Sequence, residues 1–428
     1  AEVSPVFEAE SLEQWLRHFQ EIDSSFQLDM QLLIRGYSPY QQRTTVQRIA
    51  TDLFDACMEH APQTGAARPL YKIHAAVYCV IKIGEHLQLY ERPMAEHAFD
   101  RAQSDVSELV GQIGQALNSL TRQPLPSRYE QLVVESLDYF DDLLDSQAHD
   151  VTQYVKLFIY RELWTKWLSS ESAWMERHEQ KLLEKLQDTV QNEEDSEADI
   201  ALRVALVHLA YLRGDDRQAF ERAKPLQNGW MNYFFYPIEL SCERGEMKRM
   251  RAWLDFTTEG LQQFLWLPGQ YREKRHLTDS LLHFYWRYSE LSDSPAVYES
   301  ALKALLPYSF YDYNDHLLSS EQYRTWAELQ LLVGFQPERF SRDELREIEK
   351  KDRACLLPLY HQAVENAIAE RKRDSYKLAV KRLKKLRTHY RQLKKVDRWQ
   401  TYIQQTAQKY KRLRAFQEEL QKGKLLHD

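Results

Sequence analysis

The sequence predicts an all-α protein, and three observations predict it. Gly and Pro number only 12 and 14 among 428 residues, whereas strand-rich folds consume turn residues about every 8–12 positions. The chain is rich in Leu, Ala, Gln, Glu, Lys and Arg, the residues that lose least on entering a helix. In the C-terminal stretch, apolar positions recur at spacings of three and four rather than alternating. The expected architecture is a helical bundle over residues 1–191, a degenerate tetratricopeptide-like array of helical hairpins over 200–350, and a basic helical hairpin over 351–428.

Bulk composition narrows the class. At 43% hydrophobic and 28% charged, the chain can bury a core and is not of disordered type. Its four cysteines, Cys57, Cys79, Cys242 and Cys355, are scattered, so no disulfide framework is expected and a reducing cytosol is the expected compartment. No apolar run approaches the roughly 18 residues that a membrane crossing requires, and no membrane partner is expected. The opening AEVSPVFEAESLEQW is acidic, has no signal-type apolar core and lacks Met. That start is expected to be a trimmed one.

Taken in order, Ser11 with Gln14 three residues on marks the N-terminus of a short amphipathic helix. A second helix is expected over 41–60, followed by a loop, PQTGAARP. Residues 70–89, LYKIHAAVYCVIKIGEHLQL, are apolar on most sides and predict a buried central helix. Further helices are expected over 94–120, 127–146, 151–169 and 172–191. The acidic run 192–199 is the expected domain boundary, a solvated loop whose last acids favour the next helix N-terminus.

Beyond it, LVHLAYLRGDDRQAFERAKPL sets two helices around a turn at Gly214, and IELSCERGEMKRMRAWL repeats the scheme 31 residues later with Gly245. Ala219 fits the small residue of a tetratricopeptide unit, and Met250 fits it less well. The aromatic clusters 230–236, 264–266 and 283–286 recur at helical spacing, which favours packing between repeats over a base-stacking or peptide-gripping surface. The segment 308–314 differs. Pro307, Asn314 and alternating polar residues predict a loop, so Tyr308, Phe310, Tyr311 and Tyr313 are candidates for exposed aromatic contacts.

The tail is the most polar-patterned stretch. Residues 371–428 hold 19 Lys and Arg against 5 Asp and Glu, a net of +14, which leaves −21 on residues 1–370 in a chain of net −7. Two amphipathic helices are expected, over 375–393 and 398–420, with Asp397 as the N-cap of the second. Lys377, Lys381, Lys384, Thr388, Arg391 and Lys395 line one flank, Arg382, Lys385 and Arg387 widen it, and Lys394 is a further candidate beside Lys395. Such a face fits phosphate, from DNA or RNA. It fits an acidic protein surface as well, or serves only solubility. Tail aromatics fall on the opposite stripe, where they pack.

LPLYHQAVE (357–365), RDSYKLAV (373–380), LKKLR (383–387), DRWQTYI (397–403) and RLRAFQEEL (412–420) fall in one order, and LYKIHAAVY lies at 70–78. In these pieces the chain resembles the helical region of bacterial SWIM zinc-finger proteins. That family's finger has a C-x-C…C-x-H pattern of zinc ligands, and this chain contains no C-x-C. The finger is therefore expected upstream, with no cofactor in this chain and zinc only in that missing segment. The resemblance implies a helical region that binds protein or DNA, in a family that often occurs beside Snf2-type helicases, with no catalytic role.

The remaining chemistry is sparse. Cys57-x-x-His60 and His74-x4-Cys79 each could share a helix face, but lone cysteines in apolar helices behave as small hydrophobes, so no metal site is expected. No phosphate-cradling Gly-rich loop, G-x-S-x-G or H-E-x-x-H is present. Asp138, Asp141, Asp142 and Asp145 follow Glu135 at helical spacing as one solvated face. The function expected is a non-enzymatic helical scaffold for protein–protein interaction, with direct nucleic-acid binding through the tail as the alternative.

Overall fold

A computed structural model describes residues 11–34, 39–62, 67–88, 98–122, 127–145, 150–168, 172–190, 197–226 and 231–426. Among them there is no β-strand, so the all-α class holds. The chain forms two compact units, Ala1–Glu273 and Lys274–Asp428.

The N-terminal unit contains α1 (Leu12–Ile34), α2 (Pro39–Glu59), α3 (Ala67–Gln88), α4 (Ala98–Arg122), α5 (Glu130–Asp145), α6 (Asp150–Lys166), α7 (Ser172–Val190), α8 (Glu197–Leu212), α9 (Asp216–Ala223), α10 (Phe235–Glu243) and α11 (Met247–Trp266). Helix α3 is central, packed on α1, α2, α4 and α6. Its residues Leu70, Tyr71, Ile73, His74, Ala75 and Ala76 are wholly buried, as the all-round apolar pattern predicts. Trp15 and Phe19 of α1 meet the Tyr71 ring edge-on at 5.2 Å each. Helix α1 is therefore not the short element expected but runs through Ile34.

The acidic boundary run is only partly within view. Residues 192–196 lie outside the described residues, while Glu197 to Asp199 form the first turn of α8, where acids suit the helix dipole.

The C-terminal unit holds most of α12 (Tyr271–Ser292), then α13 (Pro295–Ala304), α14 (Phe310–Ser319), α15 (Tyr323–Val333), α16 (Arg342–Asp352), α17 (Leu356–Ala369), α18 (Arg373–Gln392), α19 (Val396–Lys409) and α20 (Arg414–Lys422). Neighbours in sequence pack as hairpins: α13 on α14, α14 on α15, α17 on α18, and α18 on both α19 and α20.

One turn recurs in both units. At Gly214 the backbone is left-handed, with φ of 78°. Its N–H donates to the Tyr211 carbonyl at 3.0 Å, and the Asp215 N–H donates to Ala210 at 3.0 Å. This crossed pair closes a helix by satisfying its last carbonyls. Gly245 repeats it with Cys242 and Ser241, Glu321 with Leu318 and Leu317, Lys394 with Arg391 and Tyr390, and Lys424 with Gln421 and Leu420. Five residues beyond four of these turns sits a buried side chain: Ala219, Met250, Trp326 and Trp399. The hairpin turn is thus regular, while the residue filling the following slot ranges from Ala to Trp.

Two further expectations need correction. The second tail helix does not run unbroken over 398–420; it stops at Lys409 and resumes at Arg414. The first residue of α19 is Val396, so Asp397 lies in its first turn and is not its N-cap.

Candidate partner-binding face

Helix α18 presents two faces because its apolar residues fall three and four apart. Tyr376, Ala379, Val380, Leu383, Leu386 and Tyr390 are buried, against α17 on one side and α19 and α20 on the other. Close packing here depends on Gly423, where a Cβ would stand 2.6 Å from Val380 Cγ1. The tail aromatics are consumed by this packing. Tyr376 meets Phe416 with ring centroids 5.6 Å apart, Tyr390 meets Trp399 at 6.3 Å, and both Trp399 and Phe416 are fully buried.

The nine basic candidates divide. Lys377, Lys381, Lys384, Arg391 and Lys394 are exposed, with Lys377 in a loose pair with Asp374 at 3.0 Å. Lys385, half-buried, pairs with Glu349 at 2.7 Å. Arg387 donates to the Lys424 carbonyl at 3.2 Å, tying α18 to the end of α20. Lys395 is half-buried at the turn into α19.

Arg382 does not belong to the exposed face. It is 7% exposed, its Nη1 donates to the Ala363 carbonyl at 2.7 Å, and its Nη2 donates to Glu338 at 2.7 Å. Burial alone would raise the Glu338 carboxyl, but Arg382 outweighs it and holds that group below the usual carboxylate range. The guanidinium serves the fold. Other tail charges are paired: Arg373, at the start of α18, with Glu418 at 3.2 Å, and Lys409 of α19 with Glu365 at 2.7 Å.

The aromatic candidates also divide: Tyr308 lies in the turn before α14, whereas Phe310, Tyr311 and Tyr313 are helical and not in a loop. Ser309 Oγ donates to the Leu302 carbonyl and α14 begins at Phe310. Tyr313 is buried, Tyr308 and Phe310 are half-buried, and only Tyr311 stays exposed, so helical periodicity overrides the polar alternation.

The same periodicity splits the cluster 283–286. Phe284 and Tyr285 are buried while His283 and Trp286 face outward, beside Asp279. With Asp312 of α14 they line an open cleft that the sequence did not reveal. The available signal was Arg275, Asp279 and His283 at spacings of four, with Trp286 on the same polar face. Trp230, from the first cluster, lies outside the described residues.

Neither cysteine–histidine pair converges on a metal. Cys57 and Cys79 are buried side by side, His60 packs edge-on against His18 at 4.9 Å, and His74 Nε2 lies 2.8 Å from Ser136 Oγ. Cys242 is in α10 and Cys355 precedes α17, so the four thiols do not fit a finger of C-x-C type. Among the described residues, no group of three or more His, Cys, Asp or Glu is disposed to hold a metal ion. Nor, among them, is any helix long and apolar enough to cross a membrane.

Comparison with known proteins gives one relative to report. The chain is 29% identical over 422 residues to an uncharacterized protein of Bacillus subtilis (strain 168), YwqB, a match that spans 97% of this chain and 74% of that protein. No family model and no solved structure matches.

Proposed function

We propose that the chain is a non-enzymatic helical scaffold that docks a protein partner through the basic flank of α18. The observation that carries this is the split within the helix: every large ring is spent on packing, while Lys377, Lys381, Lys384 and Lys394 stand in solvent along one side. A face that offers charge without rings favours an anionic surface over splayed bases, which are ordinarily held by stacking. The SWIM-family resemblance, whose members often occur beside Snf2-type helicases, is what suggests such a helicase as the partner.

Direct DNA or RNA binding is the second reading, favoured by the +14 carried by residues 371–428. It predicts affinity that falls steeply with salt and disappears without that tail. Two assays separate the readings. Fluorescence anisotropy with a duplex and a single-stranded oligonucleotide, at low and high salt, reads nucleic-acid affinity. Co-purification from native cells, scored by mass spectrometry, reads the protein partner. Recovery of the bait alone, together with salt-sensitive oligonucleotide binding, would replace the first reading by the second.

A further inference from the structure

The cleft on the C-terminal unit has a volume of about 330 Å³ and lies along one face of α12, closed by α13 and α14. Helix α12 supplies Arg275, Asp279, His283 and Trp286, α13 supplies Tyr298, and α14 supplies Asp312. Arg275 Nη2 lies 2.9 Å from Asp279 and its Nη1 lies 2.6 Å from Asp312, with a further bond from Nη1 to the Tyr308 carbonyl. One guanidinium therefore serves two carboxylates, and the cleft keeps a surplus of one negative charge. Burial pushes the Asp279 carboxyl up, and Asp312 adds to that against the pull of Arg275 and His276. Burial and Asp312 likewise push up the Tyr298 hydroxyl.

Trp286, 49% exposed, lines the same cleft as the carboxylates, with the His283 ring 6.1 Å away. Trp266, outside the cleft, is more exposed still at 85%, whereas Trp15, Trp164, Trp253, Trp326 and Trp399 are fully buried. A large exposed ring at the rim of a concavity is the feature that marks a contact site. An indole face beside carboxylates recognises a cation, because ring quadrupole and carboxylate attract the same charge. A planar guanidinium answers both, stacking on Trp286 while its N–H groups reach Asp279.

We infer that this cleft is a docking site for an arginine side chain of a partner polypeptide. Charge complementarity selects the occupant: the lining sets two carboxylates against one guanidinium beside the exposed Trp286 ring, and the size suits one long side chain. The inference goes beyond the α18 face, which is of opposite charge and on other helices, so either can fail without the other.

The test uses the full chain labelled with 5-fluorotryptophan, the Trp286 resonance being identified by its loss in Trp286→Phe. The tripeptide acetyl-Gly-Arg-Gly-amide is titrated against acetyl-Gly-Gln-Gly-amide. The arginine probe is expected to shift the Trp286 signal saturably and at least about 5-fold more tightly than the glutamine probe, with Asp279→Asn reducing that preference to about 2-fold or less. The remaining fluorotryptophan signals report whether Asp279→Asn keeps the fold; if it does not, the contrast between the two probes on the unmutated chain decides alone. Equal shifts with both probes, no shift with either, or an unchanged preference in a folded Asp279→Asn chain would overturn the proposal. A Trp286 signal that moves with protein concentration alone would place a second copy of the chain in the cleft instead, which also overturns it.

Discussion

Lys381 and Arg382 are sequence neighbours with opposite surroundings. Lys381 is exposed, whereas Arg382 is buried and bonded to Glu338 and the Ala363 carbonyl. Removing a buried hydrogen-bonded charge leaves its partners unsatisfied, so Arg382→Met is expected to destabilise the C-terminal unit by about 2 kcal/mol. Lys381→Glu is expected to change stability by no more than about 0.5 kcal/mol. Urea titration of both variants checks the contrast; equal effects would return Arg382 to the binding face. The distinction was half legible. Arg382 lies three residues after Ala379 and four before Leu386, at the border of the apolar stripe, but Glu338 is 44 positions away and no local pattern announces it.

At the scale of the element, the turns explain what the sequence showed and what it hid. Gly214 and Gly245 were visible as repeat signals because glycine enters the left-handed region without steric cost. Asp293, Glu321, Arg371, Lys394 and Lys424 occupy the same region, with φ between 49° and 56°. An ordinary side chain there looks like any helical residue, so only two hairpins stand out in the sequence and the repeat reads as degenerate. The break at 410–413 within the tail was hidden for a related reason, since Tyr410, Leu413 and Phe416 continue the helical spacing across it. Left-handed backbone costs a side-chain-bearing residue about 1 kcal/mol. Lys394→Gly is therefore expected to stabilise the C-terminal unit by roughly 0.5–1 kcal/mol, and Gly245→Ala to destabilise the N-terminal unit by about 1 kcal/mol. Thermal or chemical melts give both signs, and a destabilised Lys394→Gly would show that the turn is not as described. Gly423 is a different case: its backbone is helical, yet a methyl group would strike Val380, so Gly423→Ala is expected to cost on the order of 1–2 kcal/mol by the same melts.

For the whole molecule, the helical class was legible from composition and periodicity alone, because these follow from backbone physics that each segment obeys locally. The cleft was not, since it depends on which polar stripe of α12 meets α14. Acid sensitivity is also a property of the assembled cores. Burial holds His74 in the N-terminal unit at about 3 and His389 in the C-terminal unit at about 4, against an ordinary value of 6.5. The unfolded chain therefore binds protons that the folded chain refuses. Stability is whole above pH 6.5 and falls as pH drops towards those values, by up to about 1.4 kcal/mol per pH unit for each histidine. His74 has its Nδ1 unpartnered and stacks on Phe140 at 5.1 Å, so His74→Phe is expected to flatten the acid limb of the N-terminal unit between pH 6.5 and 5. An unchanged pH slope would contradict the assignment.

The opposed charges, −21 on residues 1–370 and +14 on 371–428, are the ground on which we propose that the α18 flank meets an acidic surface. That claim is tested most directly by comparing the unmutated chain with a Lys377→Glu, Lys381→Glu, Lys384→Glu variant in capture from native cells at physiological and at 0.5 M salt. The unmutated chain should retain a Snf2-type helicase at physiological salt and release it at the higher salt, while the folded variant retains at least about tenfold less. Retention of the same partner by both chains, insensitive to salt, would contradict the account.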